Sequence, residues 1–600
     1  MFCIWMANAS VAQEVVFPLG SNTVLENYAR SNTNALRIAV ADTLVLPFID
    51  DFSKPGVYPD SSLWVDNNAF VNNTFCDNPI TLGVATFDGL DYLGRPYDSL
   101  SGTTSICDYL TSRPVDLNFP GDNTIWFSFF YQPQGLGDEP EPGDSLVLEF
   151  LDASGNWNDV WGADGRADTA FLEVFINITD AAYQYKGFQF RFFNYGTPNG
   201  NRDHWNIDYV RLDRNRSNGD GLPDVTVLHP QSSWLKDYES VPYPHYKGFT
   251  NQPSLLKDSI RDTVSSIDYA NTSIQHNFQC HDDAGTVLLD LSQNVQVFTG
   301  TKVVVSDPLT PPFVFPSDPG DSAVFHIKNF KSLTGTLNTR NDTAYYDQKF
   351  YDYYAHDDGT AELGYGINDP NGKLACRFYN LMEDTLQGVQ IYFNPMGDVV
   401  HNKLFQLCYW QSIGFNGQTE NLVYKRINLK PANRDSINGF VYYEFDSTLI
   451  VPAGEFYVGW TQNNDNTLLG IGLDKNTPDS TNKFFSYFGT WYQSTTEGTW
   501  MIRPVFGKKI PLGIHDVQAA SFSLRIFPNP SQGIVRYELN GRPGRNYFYS
   551  LYDMTGRLLA DEKLEKNQLD FSYLSPGLYI LKVVNKEDRS FVQEKIFISR

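Results

Sequence analysis

The residues whose type and spacing best suit chemistry are acids, and the chemistry they suggest is the holding of a hard cation. Asp50 and Asp51 precede an early strand, and Asp203 and Asp208 flank Trp205 in a late one. If the first and last strands of a sandwich lie side by side, these four carboxylates meet at one edge. They repel one another there, and a structural Ca2+ taking about six to eight oxygens would neutralise them. The alternative is that they face solvent or cap turns. A second acidic stretch, Asn218-Gly-Asp220-Gly-Leu-Pro-Asp224, spaces its carboxylates around glycine, so that they can fold back on one cation or simply form a polar linker.

Catalytic signatures are missing. There is no HExxH, no GxSxG elbow, no GxxxxGK[ST] and no GxGxxG. The nine His are scattered, and Cys280-His281 are neighbours in sequence, whereas a nucleophilic dyad needs closeness in space. With 70 acids, no pair stands out as a glycosidase couple. No two Cys show CxxC spacing, so zinc and thioredoxin-like chemistry lack support. Cys76 with Cys107, and Cys376 with Cys408, each lie about 31 residues apart, which makes them the disulfide candidates in an oxidising compartment, with Cys280 left over.

The elements that must position these residues are strands. Aromatics reach 15 %, with 43 Phe, 35 Tyr and 11 Trp, against 19 % charged residues, and Gly and Pro supply frequent turns. Flat side chains and many turn-formers suit short strands packed face to face, which predicts an all-β chain of several tandem sandwiches. Thr124–Tyr131, Ser145–Leu151, Gly187–Phe193 and Trp205–Leu212 each alternate apolar and polar residues at period two. Gln132 to Gly143 between the first two is an acidic, Gly- and Pro-rich excursion.

Charge and length bound the rest. The net charge is −25; residues 521–600 hold 12 Lys and Arg against 9 Asp and Glu, leaving 33 against 61 elsewhere. So acidic a body repels phosphate backbones, and nucleic acid is excluded as an expected partner. Met1 to Ala12 is mostly apolar and ends Ser10-Val11-Ala12, which fits a shortened signal peptide cut after Ala12, or else a hydrophobic start. Nothing approaches about 18 consecutive apolar residues, so no transmembrane segment is expected. The division predicted is 1–12 signal peptide, 13–214, 215–345 and 346–508 as three sandwiches, 509–520 linker, and 521–600 a small C-terminal sandwich.

Several stretches resemble known families. The strand order over about 45–213, closing in Asp203-His-Trp-Asn-Ile-Asp208-Tyr-Val, is similar to the MAM or concanavalin-like jelly roll. Asn218 to Asp224 resembles half a calcium-binding thrombospondin type 3 repeat. Residues 225–345 read as an immunoglobulin-like spacer, and 346–508 as a second jelly roll, resembling a module that opens with Asp357-Asp-Gly-Thr-Ala-Glu362 in exported Bacteroidota proteins. The tail is the most specific. Pro528-Asn529-Pro530 after a first strand, Tyr552-Asp553 leading to Gly556-Arg557, then Leu574, Gly577 and Tyr579, and a closing strand from Lys595 follow the order of the type A sorting domain of the type IX secretion system.

That resemblance implies a Bacteroidota chain carried across the outer membrane, with the type IX translocon and a surface sortase as partners. Its destination would be the cell surface or the medium. Asp-(Ser/Thr)-apolar triplets, which are O-glycosylation sites in such proteins, recur from Asp42-Thr43 to Asp435-Ser436. For the body the expectation is a non-catalytic binding or adhesion protein for a glycan or a surface protein. The alternative is a secreted hydrolase of glycans or peptides, with a divergent active site in one jelly roll.

Overall fold

Along strand after strand, apolar residues at every second position turn one face inward, and the sheets they form pair into sandwiches. The structure is a computed structural model. It describes residues 14–31, 43–167, 170–221, 223–267, 270–309, 312–317, 319–333, 339–394, 403–431, 439–463, 468–479, 481–507, 523–540, 547–553, 558–564, 568–585 and 591–599. The chain divides into two compact units, Met1–Lys508 and Lys509–Arg600. The signal-peptide residues 1–12, the linker 509–520 and the motif residues Gly556 and Arg557 lie outside the described residues.

After β1 (Glu14–Phe17), which pairs elsewhere, the first sandwich uses strands β2 (Phe48–Asp50), β3 (Phe70–Asn72), β4 (Val84–Phe87), β5 (Ser105–Thr111), β6 (Val115–Asp116), β7 (Trp126–Pro133), β8 (Ser145–Leu151), β9 (Trp157–Asp164), β10 (Leu172–Asn177), β11 (Lys186–Phe188), β12 (Phe190–Gly196) and β13 (Trp205–Asp213). One sheet runs β10-β7-β13-β4-β3 with β2 also on β13; the other runs β5-β12-β8-β9. Between them Trp64, Phe127, Phe129, Phe150, Phe190, Phe192 and Trp205 fill a core rich in edge-to-face ring pairs, such as Phe127–Phe190 at 4.6 Å. The first and last strands of this sandwich are neighbours, Asp50 opposite Val210.

Two further sandwiches follow. Val225–Val227, Ser259–Ser266 and Lys302–Pro308 face a four-stranded sheet built from Val287–Val297, Thr272–His281, Ala323–Ser332 and Thr343–Phe350. The third contains a six-stranded sheet from Asn421–Leu429 to Thr490–Gln493 and a three-stranded one closed by Ile502–Phe506. The spacer reading of the middle sandwich is corrected by packing. One apolar core runs without a break from Val225 to Phe506 through Trp234, Tyr246, Phe315, Phe350 and Tyr354.

The boundary at residue 13 is also corrected. β1 leaves the first sandwich and pairs with Leu363–Ile367, Glu14 opposite Ile367 and Phe17 opposite Gly364. The Glu14 carboxylate accepts the hydroxyl of Tyr365 at 2.7 Å and that of Ser494, which fastens the strand at its outer end.

Among its described residues the C-terminal unit has seven strands, three in one sheet (Ser523–Phe527, Ile534–Asn540, Gln568–Asp570) and four in the other (Leu558–Lys563, Tyr547–Asp553, Gly577–Asn585, Phe591–Ile598). Val535, Leu551, Phe571, Leu581, Val583 and Ile596 form its core.

Candidate functional site

The outer face of β5-β12-β8-β9 carries aromatic and charged side chains in register. Alternation sends Leu110, Leu146, Leu148, Phe190 and Phe192 into the core, so the intervening residues face outward. Register then aligns them in rows: Thr111, Arg191, Glu149 and Asp159 across one, Tyr109, Phe193 and Val147 across the next, and Ile106, Tyr195, Ser145 and Asp164 across the last. Arg191 Nε donates to Glu149 Oε2 at 2.5 Å. Its guanidinium carbon lies 4.3 Å from the ring centre of Trp157 and 5.2 Å from that of Tyr109. Tyr109 and Phe193 are 5.8 Å apart, and Phe193 and Tyr195 5.5 Å. Phe193 itself is covered by these neighbours, whereas Tyr195 and Ile106 are each more than a third exposed. Flat apolar surface interrupted by one fixed Arg–Glu pair is suited to ligands with apolar faces and rims of hydroxyls.

Acids close the last row. Asp144 immediately precedes β8, and Thr104, whose hydroxyl donates to it at 3.3 Å, precedes β5. One oxygen each from Glu141, Asp144 and Asp203 lie within 4.8 Å of one another, and among the described residues no other group of three or more His, Cys, Asp or Glu converges so closely. Asp203 adopts a left-handed backbone, φ 57°, and accepts the N–H of Thr197 at 2.5 Å. Burial, then the neighbouring Glu141 and Asp144, pushes its carboxyl up to about 8. Burial raises Asp144 to about 6.

The four acids chosen from sequence do not assemble. Asp203 joins Glu141 and Asp144 instead. Asp50 turns into the core and accepts the indole N–H of Trp64 at 2.6 Å and the N–H of Phe52. Asp51 accepts from Ser53 and from Asn341 Nδ2. Asp208 is saturated by the N–H and hydroxyl of Thr81 and by the N–H of Tyr209. Neighbouring β2 and β13 do bring the strands together, but protein donors already occupy these oxygens. Glu141 and Asp144 were missed because their loop reads as an excursion; its acids and the Asp before β13 are the only signal the sequence carries.

Asp220 pairs with Arg216 at 3.6 Å, while Asp224 is buried and bound by Tyr209 and Asn341, so the stretch from Asn218 does not close on a cation. Asp357 is locked to Arg503, and Glu362 accepts the N–H of Lys475, so the acidic opening of the third sandwich serves its packing.

The disulfide candidates are corrected. Cys76, Cys107, Cys280, Cys376 and Cys408 are all free and buried. Cys376 lies opposite Val458 and Cys408 opposite Gly459, on either side of the strand Gly454–Gln462. Two strand spacings, roughly 9–10 Å, separate them, beyond the reach of about 7 Å that a bridge allows. They also face opposite sides of the sheet, Cys376 into the main core and Cys408 against Trp410 and Trp491. Burial pushes the Cys76 and Cys107 thiols up to about 12, which keeps both protonated.

In the C-terminal unit the motif residues converge. The side chain of Asn529, between Pro528 and Pro530, bonds to the backbone of Lys595 and Phe597 on the last strand. Tyr579 donates its hydroxyl to the carbonyl of Ser575 at 2.8 Å, pinning the turn between Leu574 and Gly577. Tyr552 and Asp553 lie opposite Ile580 and Tyr579.

No curated protein matches the chain by sequence. Among solved structures it is similar to a Bacteroides uniformis beta-glucuronidase (14 % identity, 43 % of this chain and 28 % of that one, TM-score 0.19). It is likewise similar to a putative beta-galactosidase from Bacteroides fragilis (11 %, 42 % and 33 %, TM-score 0.20). A third likeness is to Caldicellulosiruptor saccharolyticus CBM27-1, solved with mannohexaose (14 %, 28 % and 98 %, TM-score 0.19). The chain spans about a third or less of the two glycosidase structures. Residues 525–599 match the family described as Secretion system C-terminal sorting domain. The C-terminal unit is therefore a type IX sorting domain, and the chain is an exported protein destined for the cell surface or the medium.

Proposed function

We propose that the body of this exported chain is a non-catalytic glycan-binding protein acting in adhesion, and that its ligand lies on the outer face of β5-β12-β8-β9. The observation that carries this reading is the Arg191–Glu149 pair held among Tyr109, Trp157 and Phe193, with Tyr195 packed on Phe193 beside it. Aromatic rings offer flat apolar area to the C–H faces of a sugar, and the charged pair offers a fixed donor and acceptor to its hydroxyls. A glycan array probed with the full-length protein, beside an activity screen on polysaccharides and peptides, tests it. The expected result is glycan retention that falls in Trp157→Ala and Tyr195→Ala, with no cleavage product. Release of new reducing ends or peptide termini, abolished by no change on this face, would overturn the reading in favour of a hydrolase.

A further inference from the structure

Three acidic side chains from distant parts of the sequence end at one corner of the first sandwich, and the geometry points to a Ca2+ site made by Glu141, Asp144 and Asp203. Glu141 and Asp144 belong to the turn that leads from β7 into β8, and Asp203 lies two residues before β13. Ligand oxygens within 4.8 Å of one another can all reach one ion at the roughly 2.3–2.6 Å of calcium–oxygen bonds.

A second observation is independent of that spacing. Asp203 is only 1 % exposed, and its Oδ1 has no hydrogen-bond partner among the described residues, although its Oδ2 is taken by Thr197. A buried carboxylate oxygen without a donor is costly unless positive charge supplies what is missing. Glu141, the acid its side chain reaches, is a second carboxyl: the two can share one proton, which keeps Asp203 neutral, but once both are ionised they present lone pair to lone pair. An ion between them resolves that arrangement.

The donor set selects the kind of ion. All three groups are carboxylates, with no Cys or His in the cluster. The adjacent His204 stacks on Phe75 at 4.9 Å and accepts the N–H of Asp138, so it belongs to other contacts. An all-carboxylate donor set suits calcium better than zinc, and carboxylates fixed by a turn and a strand approach suit calcium's flexible coordination better than magnesium's strict octahedron. Glu141 is exposed while its two partners are buried, which leaves one side open for water ligands. Bound there, the ion ties the β7–β8 turn to the approach to β13 and, through Thr197, to the end of β12 beside Tyr195. The site stands whether or not the neighbouring face binds sugar.

Full-length protein stripped with chelator and then titrated with CaCl2 or MgCl2 is the test, read by calorimetry and by melting temperature. Calcium should bind and raise the melting temperature by several degrees, and magnesium should do so much more weakly. Glu141→Gln, an exposed change that leaves the buried pair in place, should weaken calcium binding at least tenfold; Asp203→Asn should abolish it. Should Asp203→Asn fail to fold, Glu141→Gln alone decides. Absence of calcium heat and of any melting shift in the wild type would overturn the site. So would an undiminished shift in Glu141→Gln, which would place the ion elsewhere, or an equal response to magnesium, which would overturn the choice of ion.

Discussion

The side-chain oxygen of Asn529 accepts the backbone N–H of Phe597 at 2.8 Å, and its amide nitrogen donates to the carbonyl of Lys595. One side chain thus pairs with the last strand much as a neighbouring backbone would, and it fastens the Pro-Asn-Pro corner to that strand. Asn529→Ala removes both bonds, a loss of about 1–3 kcal/mol. The expected outcome is a lower melting temperature for a reporter fused to residues 509–600, and retention of that reporter in the periplasm of a type IX-competent cell. Deleting Lys595 to Arg600 should be more severe, because that strand pairs along Gly577–Asn585. Cell fractionation beside an intact tail decides; normal export of either variant would refute the role.

The cysteines provide a chemical check on the fold. Cys76, Cys107, Cys280, Cys376 and Cys408, the cysteines among the described residues, are buried thiols, so a membrane-impermeant alkylating reagent should label none of these five in the native protein and each of them after unfolding. Mass spectrometry of non-reduced peptides should find no Cys76–Cys107 or Cys376–Cys408 bridge, and reductant should leave the melting temperature unchanged.

Asp88 and Asp108 set a pH dependence. Both are fully buried, Asp88 accepting from Asn22 and Asn201 and Asp108 from Gly89 and Tyr97. Burial pushes Asp108 to about 7, and burial together with Asp108 pushes Asp88 well above the carboxylate range. Unfolded, each titrates near about 4. Above that pH and up to the folded values the native state holds more protons, so the contribution of this pair is fully present below about 4 and is lost as pH rises through about 7. Melting curves from pH 5 to 8 should show this decline, and Asp108→Asn should make it shallower. An identical slope in the variant would remove this pair as the cause.

On the aromatic face, Trp157→Ala should reduce glycan binding about tenfold, or about 1.4 kcal/mol, and leave the melting temperature within a few degrees of wild type. Arg191→Lys keeps the charge but loses the planar fork, so affinity should fall there as well. Equal retention by wild type and both variants on a responsive glycan would move the ligand to another surface.

How far the sequence foretold this molecule differs between its local and its distant features. Alternation in Gly187–Phe193 correctly turned Phe188, Phe190 and Phe192 inward, and all three are fully buried. The tail was legible because its turns demand particular residues: Tyr579 pins one and Asn529 another. What escaped was contact between segments far apart in the chain. Glu141 and Asp144 meet Asp203 across some sixty residues, a meeting that period-two patterning cannot encode. Strand order did bring the strands of Asp50 and Asp208 side by side. Their roles still depended on which donors, Trp64 and Thr81, the rest of the chain would deliver. The cysteine pairs failed for the same reason, since similar spacing says nothing about which face of a sheet a thiol joins.

The pairing of β1 with Leu363–Ile367 bears on the order in which the body can be completed. A strand made among the first residues waits for a partner some 350 positions later, and Ser494, which helps hold it, comes later still. Closing so long a loop is slow, so the head of a growing chain stays unsheltered until most of the body exists. A chain halted before residue 363 would carry Val15 and Phe17 with nowhere to go, a signature by which quality-control proteases could tell an unfinished molecule from a finished one. Among the described residues, β1 is thus fastened only once Leu363–Ile367 and Ser494 are in place.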